Sequence, residues 1–307
     1  MKKMLKKCAR LAFVLLAMVL LTSATPQEKK ICLTMIVKNE SRIIERLLNS
    51  VKDVVDCVSI CDTGSQDNTV ELIENFLKKN KIPGKVHKEQ WRNFGYNRTL
   101  SVQLAQKMLA DCQFSLDQTY LLLLDADMIL EVEPDFSKHV LVADSYMVVQ
   151  ENPFISYFNT RLLRASLPWE CVGVTHEYWS CSVAGQSEQL DTLFIDDRED
   201  GGCKDDKLER DIRLLTQGIK DEPNNARYHF YLAQSHKDSK HYDEAIKWYT
   251  KRIEMGGWYE EVWYSKLSLG DLYVAKDDWT KALEWYLEAY EYNPDRAEPL
   301  HRIARYY

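Results

Sequence analysis

Five consecutive apolar residues, Tyr120 to Leu124, run directly into Asp125-Ala126-Asp127. A run of this kind reads as a strand buried on both faces, the situation of a parallel sheet flanked by helices. The two acids then emerge at its C-terminal end, the edge where open α/β sheets bind ligands. Carboxylates two residues apart on an extended chain point to one side, and they repel unless a cation sits between them. Oxygen ligands of this kind suit a hard cation, Mn²⁺ or Mg²⁺. A lone pair of acids is a common accident, so the segments around the strand decide its meaning.

Those segments alternate strand and helix from residue 31 to 130. Residues 31–37 form an apolar run that ends in Lys38-Asn39-Glu40, and Ser41 stands where it can cap a helix carrying Ile43, Ile44, Leu47, Leu48 and Val51. Residues 57–61 predict a second strand, ending in Asp62-Thr63-Gly64-Ser65-Gln66-Asp67. A helix over 69–79 follows, with Leu72, Ile73, Phe76 and Leu77 inward; Pro83-Gly84 breaks it before a short third strand at 85–87. Residues 96–110 predict another helix. This order argues for an α/β sheet with helices on both faces. Glu40, Asp62 and the acids at 125 and 127 all fall at strand ends on one edge.

From Ser145 to Trp179 the strands lengthen, and Glu151-Asn152-Pro153 predicts a hairpin turn. Residues 191–206 are acidic and contain Gly201-Gly202, which predicts a loop and a domain boundary. Beyond Lys207 the pattern is helical and repeats. Tyr231-Leu232-Ala233 matches Ser268-Leu269-Gly270 at an offset of 37, as Ala245 matches Ala282 and Tyr249 matches Tyr286, while Gly270 to Ala304 is 34. Small residues in register with a proline at the turn (Pro223, Pro294) resemble tetratricopeptide repeats.

The net charge is −7, yet the first 24 residues carry five basic residues and no acid, so the rest of the chain stands at −12. An acidic body argues against nucleic acid as the partner. The basic start precedes eleven apolar residues, 11–21, and then Thr22-Ser23-Ala24. Residues 1–24 are read as a signal peptide or a short membrane anchor, because such a run falls short of the ~20 residues of a membrane span. Eight cysteines stand at 8, 32, 57, 61, 112, 171, 181 and 203; they form no CxxC pair and no disulfide framework, though Cys171 and Cys181 could face each other across a strand pair.

Ile36-Val37-Lys38-Asn39-Glu40, then Asp62 to Asp67, then Arg98, then Asp125-Ala126-Asp127 resembles glycosyltransferase family 2 in order and spacing over residues 31–130. Trp169, Gly173 and His176-Glu177-Tyr178 extend the resemblance to a subgroup that carries C-terminal tetratricopeptide repeats. It implies a GT-A (Rossmann-like) nucleotide-sugar-binding domain over 25–206, followed by an all-α tetratricopeptide-like repeat domain over 207–307. It further implies a metal-dependent, inverting transfer of a sugar from a UDP-linked donor. Glu40, Asp62, Arg98 and Asp125 would bind the nucleotide sugar, with Asp62 accepting from the base and Asp125 at the ribose and a metal-bound water. Asp125, Asp127 and His176 would hold Mn²⁺ or Mg²⁺; the bland alternative for His176 is packing between Trp169 and Tyr178. The family more often has Arg-Asn where this chain has Asn97-Arg98-Thr99. An inverting enzyme needs a carboxylate to deprotonate the acceptor, and Glu177 and Glu170 are the candidates, Glu177 ahead.

The tail is rich in Tyr and Trp, with Trp258-Tyr259 placed between helices. It suggests a groove for a protein, peptide or glycan acceptor, or a homodimer contact. The N-terminal segment points to the secretory pathway or to membrane association through residues 11–24, in tension with a cytosolic donor supply. Two glycosylation patterns, Asn39-Glu40-Ser41 and Asn97-Arg98-Thr99, fall in the expected nucleotide pocket and weigh against the lumen. Two rival readings are a repeat-based interaction protein with an inactive transferase domain, and a nucleotidyltransferase. The intact acids oppose the first, and the lack of a Gly-rich phosphate loop over residues 31–45 opposes the second.

Overall fold

A computed structural model describes residues 28–202 and 206–307. The signal or anchor expected at 1–24 and the thiol of Cys203 lie outside the described residues. An eight-stranded mixed sheet forms the first unit, in the order β3-β2-β1-β4-β7-β6-β10-β5. Its first half is parallel: β1 (Lys30–Val37), β2 (Cys57–Asp62), β3 (Gly84–Lys88) and β4 (Thr119–Leu123). Alternation along these strands serves two cores. Ile31, Leu33, Met35 and Val37 join Tyr120 and Leu122 on the face covered by α1 (Ile44–Val51) and α2 (Thr69–Asn80). Cys32, Cys57, Leu121 and Leu123 face α3 (Phe94–Asp111) on the other side. Such double burial is what a continuous apolar strand requires, at roughly 1.5–3 kcal/mol for each fully buried large side chain.

The second half contains β5 (Met128–Val132), β6 (Ser145–Glu151), β7 (Ser156–Arg164) and β10 (Ser187–Asp197). β7 runs antiparallel to β4 and to β6, and β10 lies between β6 and β5. The hairpin turn between β6 and β7 falls where the sequence placed it. The loop expected over 191–206 does not: residues up to Asp197 belong to β10. Leu190, Leu193 and Ile195 are buried there, with a register irregularity between Leu190 and Phe194. The acids around them mask an apolar rhythm that the bulge interrupts. Ser41 is likewise not a cap. Its amide donates to Asp67, and the helix begins at Ile44 with no side-chain cap.

β8 (Glu170–Val172) and β9 (Tyr178–Ser180) form a separate two-stranded ladder. Its register sets Cys171 opposite Trp179 and Glu170 opposite Ser180, and Cys171 and Cys181 are free thiols. Six helices follow among the described residues: α4 (Lys207–Asp221), α5 (Ala226–Asp238), α6 (Tyr242–Met255), α7 (Tyr259–Ala275), α8 (Trp279–Tyr292) and α9 (Glu298–Tyr306), each packed on the next. The offset of 37 has a packing counterpart. Ala233 and Tyr249 share one core, and Gly270 lies so close to Tyr286 that an added Cβ would stand 2.3 Å from the ring. No helix among the described residues is long and apolar enough to cross a membrane.

Candidate active site

The ends of β1, β2 and β4 meet at one edge, and their loops are knitted together there. Asn39, at φ +57°, accepts from the Gln66 amide at 2.7 Å and donates its own amide to Ser65 Oγ at 2.9 Å. The Glu40 amide donates to Thr69 Oγ1 at 2.8 Å. Asp62 is buried, and its carboxylate accepts from the amides of Gly64 and Ser65 at 3.2 Å. Beside it opens a cleft of about 690 Å³ lined by Asp62, Gly64, Ser65, Asp67, Lys88 and Gln90 among others.

Asp125 and Asp127 lie at the same edge but serve different surroundings. Arg98, on α3, donates from Nη2 to Asp125 Oδ1 at 2.8 Å and from Nε to Glu177 Oε1 at 2.7 Å. Burial pushes the Asp125 carboxyl up, but Arg98 and Arg161 outweigh it and hold the group below its ordinary value. Burial also works against the Arg98 charge, and the two carboxylates more than restore it. Arg161 is the residue that sequence reasoning missed. It is buried on β7, stands 3.7 Å from Asp125 and donates to Gln150 Oε1 at 2.6 Å. Arg161 and Arg164 in one strand, flanking Leu162-Leu163, were the available signal, since a buried guanidinium needs a partner.

Asp127 faces Glu40. A Cβ added to Gly201 would lie 3.1 Å from Asp127 Oδ2 and 3.4 Å from Glu40 Oε1, so both carboxylates border the same space. Burial raises the Glu40 carboxyl; the Gly202 amide opposes this at 3.1 Å, and the negative charges of Asp127, Asp67 and Asp200 raise it further. Arg46 holds the covering loop through a two-point bond to Asp200 at 2.6 and 2.7 Å.

His176 does not join this group. Its ring stacks on Tyr231 at 4.0 Å, and Nε2 lies 3.9 Å from the buried Asp211. Burial lowers its pKa even with Asp211 alongside. Among the described residues no three His, Cys, Asp or Glu side chains are grouped to hold a metal ion, so Asp125, Asp127 and His176 are not assembled as a ligand set. The expectation fails because the loop carrying His176 is held toward the helical region and turns the imidazole there. Glu170 is exposed on β8, whereas Glu177 reaches Arg98. Asn97 is fully buried; its amide accepts from the Arg92 N–H at 2.8 Å and donates to the Gln90 carbonyl at 2.9 Å.

The family model described as glycosyl transferase family 2 matches residues 32–196, more than half of the chain. The chain belongs to glycosyltransferase family 2. It is therefore a glycosyltransferase, and the matched span closes on β10, just before the Gly201 loop. Among solved structures, S. aureus TarS 1-349 in complex with UDP-GlcNAc is similar at 14% identity and a TM-score of 0.47, over 85% of this chain and 91% of that one. S. aureus TarS itself is similar at 15% identity and a TM-score of 0.47, over 84% of this chain and 55% of that one. No curated protein sequence matches the chain. Members of glycosyltransferase family 2 typically use a divalent metal. Such a cation takes oxygen ligands, and the carboxylates of Asp127 and Glu40, which border one space beside Gly201, are of that kind.

Proposed function

We propose that this family 2 enzyme transfers a hexose or an N-acetylhexosamine from a UDP-linked donor to a hydroxyl acceptor, with inversion. The observation that carries the reading is the division of labour at one sheet edge. Asp125 is neutralised by two arginines, while Asp127 and Glu40 border one space beside Gly201. Asp127 and Glu40 would hold the divalent cation, which supplies charge neutralisation of the leaving diphosphate. Asp62 at the neighbouring cleft receives the nucleotide base, and Arg98 fixes Asp125 for the ribose.

Glu177 is the group assigned to take the acceptor proton as the acceptor oxygen attacks the anomeric carbon. Its carboxylate is held by Arg98 at Oε1. The acceptor enters past the β6–β7 hairpin. Phe154, Ile155 and Phe158 are exposed there, and the phenol of Tyr157 lies within the field of Arg161, Asp197 and Asp125. Protein, peptide and glycan acceptors all suit that approach. The six helices read as tetratricopeptide-like repeats on the strength of the 37-residue offset and the matching Ala233–Tyr249 and Gly270–Tyr286 packing.

Calorimetry on the chain lacking residues 1–24 tests this reading. UDP binds more tightly with Mn²⁺ present, and Asp127→Ala removes the metal dependence. Equal, metal-independent binding by both proteins would overturn it. Nucleotide release scored across a panel of UDP-sugars, with Mn²⁺ present, then identifies the donor.

A further inference from the structure

The loop between β8 and β9, residues 173–177, carries Glu177 and is held from two sides. On the sheet side, the amides of Phe94 and Gly95 donate to the carbonyls of Val174 and Gly173 at 3.1 and 3.0 Å. A Cβ at Gly95 would lie 2.3 Å from the Gly173 oxygen, so α3 and the loop touch backbone to backbone. The other side is built by the helical region. Thr175 Oγ1 donates to Asp211 Oδ1 on α4 at 3.1 Å. Arg227, at the start of α5, donates to the His176 carbonyl from Nη2 at 2.9 Å and from Nε at 3.3 Å. Its guanidinium also lies 4.7 Å from the Tyr231 ring centroid and 5.4 Å from that of Tyr178. Tyr231 stacks under the His176 imidazole.

These contacts enforce a backbone that the sequence does not favour. His176 sits at φ +51°, in the left-handed region, which costs a non-glycine residue about 1 kcal/mol or more and persists only where the surroundings over-determine it. The next residue is Glu177, whose carboxylate meets Arg98, which in turn meets Asp125. Arg227 thus bonds the chain one residue, and Asp211 two residues, before the carboxylate of Glu177.

We infer that Asp211 and Arg227 are positioning residues for sugar transfer, holding residues 174–176 so that Glu177 is presented to the acceptor; this rests on the reading of Glu177 as the base. The helical region is then part of the active-site architecture. A displacement of the loop by about 1 Å is enough to cost 10²-fold in a reaction that depends on alignment.

Arg227→Ala, Arg227→Lys and Tyr231→Leu in the chain lacking residues 1–24 test the inference; Tyr231→Leu removes the ring that lies beneath His176 and beside Arg227 and keeps an apolar side chain in the helical core. Hydrogen–deuterium exchange is followed in peptides spanning 173–180. Exchange there rises about tenfold in Arg227→Ala and Tyr231→Leu, while peptides from β1, β2 and β4 are unchanged. UDP affinity with Mn²⁺ stays within about twofold of the parent, kcat for nucleotide release from the best UDP-sugar of the panel falls 10- to 100-fold, and Arg227→Lys recovers part of it. Unchanged exchange over 173–180, or a loss of UDP affinity equal to the loss of kcat, overturns the inference. Glu177→Gln separates the two ideas. If it retains the parent kcat, the base assignment falls by itself, because the hold on the loop is judged on exchange and does not depend on turnover.

Discussion

At Asp67 one carboxylate accepts from the amides of Ser41 and Thr69 and from the Thr69 hydroxyl at 2.5 Å, tying the loop after β1 to the start of α2. Burial acts to raise this acid, but those donors outweigh it and bring its pKa down to about 2. An acid depressed in the folded state contributes stability that is present above its unfolded pKa and lost as pH falls through its folded one. Asp67→Ala is therefore less stable than the parent at pH 7, by about 1 kcal/mol once solvent screening of this exposed group is allowed for. The gap closes as pH drops from about 4 towards 2, a trend that urea melts at several pH values will show. Asp62, Asp125 and Asp127 were legible in the sequence because each follows a strand whose burial forces its end to the surface edge. Arg161 was not. Its role depends on β7 lying antiparallel to β4, a pairing across some forty residues that no local pattern encodes.

Elements were legible in proportion to how strictly they follow one period. β1, β2, α2 and β4 lie close to where their apolar spacing put them. β5 and β10 were missed because acids flank their apolar positions and a bulge breaks the alternation in β10. Sequence reading placed a loop where the sheet needs its seventh strand, the one joining β6 to β5. Close packing also makes elements sensitive to a single methyl group. At Gly270 a Cβ would be 2.3 Å from Tyr286, itself buried, so Gly270→Ala should lower stability by about 1–3 kcal/mol despite the better helix propensity of alanine. Chemical denaturation followed by tryptophan emission measures it. A neutral or stabilising result would show that α7 and α8 can part without cost.

For the whole molecule, the sheet unit and the helices share buried surface. Leu215, Tyr228 and Leu232 pack with Val174 of the β8–β9 loop, and a Cβ on Gly218 would meet Val174 at 3.1 Å. Units joined this way unfold together when the shared contacts carry enough of the stability of either. Scanning calorimetry should give one transition for the chain lacking residues 1–24; two transitions well separated in temperature would mean that the helices stand on their own. The two-unit division was legible from the change of period near Lys207. The contact of one unit with the other was not, because the packing on Val174 and the bonds from Asp211 and Arg227 carry no repeat signature.

The two-point bond from Arg46 to Asp200 has a kinetic meaning as well as a structural one. It keeps Gly201 against Asp127 and Glu40, the space a metal-bound diphosphate would take. Were a metal-bound diphosphate to take that space, Gly201 would have to withdraw first, and the observed dissociation constant would be the intrinsic one divided by the fraction of molecules in which it has. Weakening the latch with Asp200→Ala enlarges that fraction, so UDP with Mn²⁺ should bind the variant more tightly than the parent, and faster.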